Sequence, residues 1–208
     1  MRHKKALAFS GIVLGMMSSV LMQTIIATVL PIAARDMGDM DLYGWVFSSY
    51  MIASTISIPL FSKLADLFGR KPLYLFGLTL FLIGSAFSGS VHSMQQLIAS
   101  RILQGLGAGA VAPAALALVS DLFPSEERGK WLGFMAAAQV LANVTGPLVG
   151  GIIADYWGWQ WAFYVNLPVG LLALTMVGIG LDRNVSNLNV SWRSLDIVGG
   201  LLLGILSV

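Results

Sequence analysis

The chain has 208 residues, of which 57% are hydrophobic and 11% charged, with a formal net charge of +2. A soluble domain carries about a quarter charged residues, so this composition excludes a water-soluble globule, which would have no polar shell. The near-neutral charge offers no basic surface for nucleic acid, and the absence of cysteine excludes disulfides and thiol chemistry.

The remaining solvent is lipid. A helix crossing the hydrocarbon core needs roughly 20 mostly apolar residues. The sequence has six such stretches and the start of a seventh, which predicts an all-α membrane protein. The first runs from Ala6 to Ala34, with Pro31 near its far end. Arg2, Lys4 and Lys5 precede it, as in a signal peptide, but a signal core is only roughly 7–15 residues long, so the segment reads as a retained helix. A polar turn, Arg35 to Leu42, leads to a second span over Tyr43 to Phe61. The charged stretch Ser62 to Lys71 reads as a short loop before a third span, Pro72 to Val91. His92 and Ser93 turn the chain into a fourth span, Met94 to Val119. After a loop from Ser120 to Gly129, a fifth span covers Lys130 to Ala154. The aromatic turn Asp155 to Gln160 leads to a sixth, Trp161 to Leu181. This divides the chain into a six-helix domain (1–181), a polar linker (182–194) and the start of a cut seventh helix (195–208). The 23 glycines lie largely inside the apolar runs, where small residues let helices approach closely.

Lys and Arg separate by side. Arg2, Lys4, Lys5, Lys63, Arg70, Lys71, Arg128, Lys130, Arg183 and Arg193 fall on one side and Arg35 on the other, while Arg101 lies within a span. Short cytoplasmic loops hold the excess of cations, so the N-terminus is expected in the cytoplasm of a multi-pass cell-membrane protein. Asp36, Asp39, Asp41 and Asp155 occupy the outer turns, and Trp157, Trp159 and Trp161 suit an outer headgroup belt. His3 and His92 lie at opposite membrane edges, so no metal site is expected.

Four stretches stand out. In Ser62-Lys63-Leu64-Ala65-Asp66-Leu67-Phe68-Gly69-Arg70-Lys71, Gly69 supplies a turn residue without a Cβ. Asp66 can accept from backbone N–H groups at a helix start or pair with Arg70; alternatively the cations only set topology. Arg101 sits about five residues inside a span, where a charge costs roughly 2.5–3.5 kcal/mol near the centre, and Gln104 shares its helix face. It can serve a function there or snorkel to the surface. In Ala142-Asn143-Val144-Thr145-Gly146-Pro147-Leu148-Val149-Gly150-Gly151, Pro147 removes a donor and kinks the helix, while Gly146, Gly150 and Gly151 offer a close-packing face. Gln23, Thr24, Thr28, Gln139 and Asn143 are polar groups that line a cavity or bond to a neighbouring helix. Met16, Met17 and Met22 with Phe47 and Phe134 line an apolar pocket or simply pack.

These stretches resemble the major facilitator superfamily. Leu64, Ala65, Asp66, Gly69, Arg70 and Lys71 match its signature loop, with Ser62 in place of a glycine. Arg101 to Gly107 is similar to its fourth-helix arginine motif. Ala142 to Gly151 matches its antiporter motif except at Ala142, and that motif favours export. Leu21 to Pro31 is similar to the first-helix motif of the fourteen-helix drug:proton antiporters, with Met22 where many carry Asp or Asn. Phe163 to Gly170 continues the likeness, with Gln160 replacing an arginine. The short segment after the sixth span also favours fourteen helices over twelve.

The resemblance implies several things. Asp66, Gly69, Arg70 and Lys71 form a conformational latch, and Arg101 with Gln104 takes part in proton coupling. The cargo is an amphipathic small molecule moved by alternating access, driven by a proton gradient without a cofactor. The expected partners are membrane lipid and a missing C-terminal half, so the sequence reads as a fragment. No Asp or Glu lies in the core of any predicted span, so no proton-carrying carboxylate is named. A nutrient importer on the same fold and a non-transporting half-transporter are the alternative readings.

Overall fold

The computed structural model describes residues 2–181, so the expected linker and seventh helix lie outside the described residues. The elements are α1 (Arg2–Met37), a short 3-10 turn (Met40–Leu42), α2 (Tyr43–Phe68), α3 (Arg70–Gly89), α4 (Met94–Leu122), α5 (Ser125–Tyr156), α6 (Trp161–Tyr164) and α7 (Asn166–Gly180). Six helices are long and apolar enough to cross a membrane, the last formed by α6 and α7 together. Among the described residues there is no strand.

Four helices, α1, α2, α4 and α5, outrun the apolar stretches that predict them. At 1.5 Å per residue the 36 residues of α1 reach about 54 Å, well beyond a hydrocarbon core of roughly 30 Å. The expected charged loop after the second span is helical as far as Phe68, because no breaker precedes Gly69. That glycine alone makes the turn, at φ 96° and ψ 147°. The φ lies in the region that side chains avoid, so glycine is required there. The expected loop Ser120 to Gly129 likewise shrinks to Phe123 and Pro124. The sixth span breaks at Val165 because Pro168 has no N–H for the Tyr164 carbonyl. Nearby, the buried Ser85 hydroxyl donates to the Phe163 carbonyl at 2.8 Å.

Packing divides the bundle into two clusters. α4 docks against α2 and α3, while α1 docks against α5 and α7; α1 and α2 scarcely touch. The contacts of α4 are made by glycine. A Cβ on Gly105 would come 2.5 Å from the Tyr50 carbonyl, and one on Gly109 would come 2.6 Å from the Ser54 carbonyl. On the opposite face, a Cβ on Gly107 would collide with the Phe81 backbone and lie 2.6 Å from the Gly77 carbonyl. α2 and α5 are the least covered spans. They present apolar faces that include Trp45, Met51 and Ile58 on α2 and Val140, Val144 and Leu148 on α5.

These contacts make a stability prediction. Gly107→Ala forces α3 and α4 apart and should destabilise the detergent-purified protein by about 1–3 kcal/mol. Gly133→Ala, whose Cβ would meet nothing within 4 Å, should be neutral or stabilising by up to ~1 kcal/mol. Thermal unfolding of the two variants side by side checks this; equal melting temperatures would refute the packing account.

Candidate functional site

The signature stretch reaches its partners by helix geometry. Arg70 opens α3 and turns towards α4, forming an ion pair with Asp121 and donating to the Ala117 carbonyl at 3.2 Å. Arg70 therefore does not pair with Asp66, which is exposed in the last turns of α2 rather than at a helix start. Lys71 donates to the carbonyls of Gly178 (2.9 Å) and Leu181 at the end of α7. Gly69, Arg70 and Lys71 thus join α2, α3, α4 and α7 at one end of the bundle, with Asp66 exposed beside them.

Arg101 is buried in α4 at 1% exposed and does not snorkel. Its Nη1 donates to Gln104 Oε1 at 2.8 Å, and its guanidinium carbon lies 4.1 Å from the centre of the Tyr50 ring. Among the described residues no carboxylate pairs with it. Among the described residues Arg101 Nε and Gln104 Nε2, both buried, meet no acceptor. The Tyr50 hydroxyl, on α2, accepts from Gln23 Nε2 of α1 at 3.2 Å. A polar chain therefore runs from the exposed Gln23 through Tyr50 to Arg101 and Gln104.

The α5 stretch divides by face. A Cβ on Gly146 would fall on the Thr24 hydroxyl, and one on Gly150 would come 2.7 Å from the Thr28 hydroxyl, so these two glycines form the seam with α1. Gly151 has open space within 4 Å and adds no close-packing surface, contrary to the sequence reading. α5 runs through the exposed Pro147 without interruption.

The cavity candidates separate as well. The Thr24 and Thr28 hydroxyls bond back to the carbonyls of Leu21 (3.0 Å) and Ile25 (2.9 Å), as packing residues do. Gln139 is half-buried and Asn143 exposed on α5. The methionines and phenylalanines lie in different surroundings. Met22 is fully buried and accepts from the Asn166 amide at 2.8 Å, Asn166 in turn accepting from Ser18 at 2.9 Å, while Phe134 is exposed on α5. Phe134 borders a groove of about 680 Å³ between α1 and α5, lined also by Phe9, Val13, Leu14, Lys130 and Trp131. Trp159 is buried at 2% exposed and donates to Asp36 at 3.1 Å, so it does not join the expected belt; Trp157 and Trp161 are exposed.

Sequence reasoning missed Tyr50, Asn166 and Asp121. A phenol and an amide inside apolar spans need hydrogen-bond partners, and that requirement was the available signal. The partner of Arg70 lies 51 residues away, and no local pattern points to it.

Comparison with known proteins comes to the same place as this geometry. The family model described as "Major Facilitator Superfamily" matches residues 12–206. Multidrug resistance protein 3 of Bacillus subtilis (strain 168) is 45% identical over 167 residues, which are 80% of this chain and 33% of that protein. Multidrug transporter protein MdtP of the same organism is 39% identical over 181 residues, 87% of this chain and 34% of that protein. The chain spans about a third of the length of these curated relatives. Its fold matches the proton:xylose symporter XylE, bound to 6-bromo-6-deoxy-D-glucose, with a TM-score of 0.76 and 18% identity, over 85% of this chain and 45% of that one.

The Arg70–Asp121 pair is about three-quarters covered, with side chains 26% and 23% exposed, and so lies close to the surface regime. A double-mutant cycle with Arg70→Ala and Asp121→Ala should give a coupling of only about 0.2–1 kcal/mol in thermal unfolding. A value above ~2 kcal/mol would show that this contact holds the bundle together, against the expectation.

Proposed function

The chain belongs to the Major Facilitator Superfamily, and on that premise we propose that it is the N-terminal half of a proton-driven exporter of amphipathic, often cationic compounds. Its N-terminus lies in the cytoplasm, as the cation count argues. Two halves rock about a midplane site, and the uncovered apolar faces of α2 and α5 receive the half that lies beyond this chain.

One observation carries the transport reading: a fully buried guanidinium in a span, with no carboxylate beside it among the described residues. A charge placed there costs roughly 2.5–3.5 kcal/mol on insertion scales, and an apolar residue would pack at no such cost. The charge is therefore present for use. The proton-accepting carboxylate comes from the other half, and Arg101 with Gln104 responds to its charge. The direction of transport rests on the glycine seam of α5, and the multidrug names of the relatives support it. The aromatic groove between α1 and α5 suits an apolar cargo entering from the leaflet. Asp66, Gly69, Arg70 and Lys71 act as the latch between states.

Fluorescent-dye efflux from cells expressing the intact gene tests this. The wild type should clear dye, a protonophore should stop it, and Asp66→Asn and Arg101→Ala should each slow clearance at least ~10-fold, about 1.4 kcal/mol in barrier terms. If wild type and both variants retain dye equally, export is excluded. If the intact protein instead concentrates a polar solute and leaves dye untouched, the importer reading replaces it.

A further inference from the structure

Tyr50 has two partners on two different helices. Its ring face lies 4.1 Å below the Arg101 guanidinium of α4, and its hydroxyl accepts from the Gln23 amide of α1 at 3.2 Å. Tyr50 is itself 1% exposed and Arg101 likewise, so the ring–guanidinium contact is desolvated, while the Gln23 bond is part-buried. A cation over a desolvated aromatic face is strongly favoured. Among the described residues no carboxylate is at hand, and the guanidinium meets the ring and the Gln104 carbonyl. The placement also matters. α1 belongs to one three-helix cluster and α2 with α4 to the other, and α1 and α2 scarcely touch. The Gln23–Tyr50 bond is thus a polar link across a thinly packed seam. Gln23 is exposed, while Arg101 is sealed inside.

We propose that Tyr50 is a positioning residue that couples Gln23, on the exposed face of α1, to the buried Arg101 guanidinium. The ring keeps the cation in place for the transport step. The hydroxyl fixes the Gln23 amide where a bound cargo meets α1. A shift of α1 on binding therefore reaches Arg101 through one side chain. This inference rests on the export reading for the nature of the cargo and not for the link itself.

The test uses the full-length protein and tetraphenylphosphonium as the transported probe. Tyr50→Phe keeps the ring and loses the hydroxyl, so the KM should rise about fivefold while the maximum rate falls less than twofold, as expected for one lost hydrogen bond. Tyr50→Leu loses both and should cut the maximum rate at least ~10-fold. Gln23→Leu combined with Tyr50→Phe should be no worse than either change alone. Additive effects in that pair, or wild-type kinetics in Tyr50→Leu, would overturn the proposal. If Tyr50→Leu does not accumulate, the Gln23→Leu and Tyr50→Phe cycle decides.

A second measurement needs no cargo. In a cysteine-free background, Ala27→Cys on the exposed face of α1 is labelled with an aqueous maleimide. Adding Tyr50→Leu or Arg101→Leu should change the labelling rate several-fold and to the same extent. An unchanged rate rejects the link. A wild type that moves no probe while the labelling rate still responds rejects export and leaves the link standing.

Discussion

Lipid gives apolar helices no reason to associate, because a neighbouring acyl chain is as good a neighbour as leucine. Association must come from how closely two backbones can approach. In this bundle that constraint falls on α4, whose glycines face two partners at once. Gly105 and Gly109 admit α2, and Gly107 admits α3. α1 meets the same need differently: it receives Gly146 and Gly150 from α5, and its own Gly11 lies against Met176 and Val177 of α7. The register set by these contacts brings Tyr50 beneath Arg101. One turn of slip between α2 and α4, about 5.4 Å, would leave the guanidinium with no ring below it.

The cations at the end bearing the N-terminus bond to backbone carbonyls. Lys5 donates to the Leu122 carbonyl, Arg70 to that of Ala117 and Arg128 to that of Phe123, each at 3.2 Å. All three meet the last turns of α4, where the negative pole of the helix lies, and the Leu122 carbonyl is one of those the helix itself leaves unpaired. Lys71 does the same for α7. The loop cations therefore close helix ends in the formed bundle.

The six spans were legible because hydropathy and length need no knowledge of neighbours. Their boundaries were not, since charge was taken to mean loop. Lys63 and Asp66 are polar but break nothing, and α2 continues until Gly69. Arg101 was legible as an anomaly in an apolar run, and its axial neighbour Gln104 followed from helix geometry. Tyr50 was not legible, because its role depends on packing between residues 51 positions apart. Met22 illustrates the same limit. The sequence leaves open whether it lines a pocket or packs, and the rotation of α1 points its sulfur at Asn166 of α7. Trp159 looked like a belt residue until Asp36 supplied a partner for its indole N–H.

The division into two clusters also governs the order of assembly during synthesis. α1 leaves the ribosome before α5 and α7, which are its main neighbours. The partner of Ser18 is Asn166, 148 residues later, which at roughly 5–20 residues per second means a wait of roughly 7–30 s. Through that interval α1 must persist without its Asn166 partner. The Thr24 and Thr28 hydroxyls, turned back on their own helix, let it do so. Tyr74 of α3 arrives sooner and donates to the Gly11 and Ile12 carbonyls, a provisional companion for a helix whose own cluster has yet to be translated.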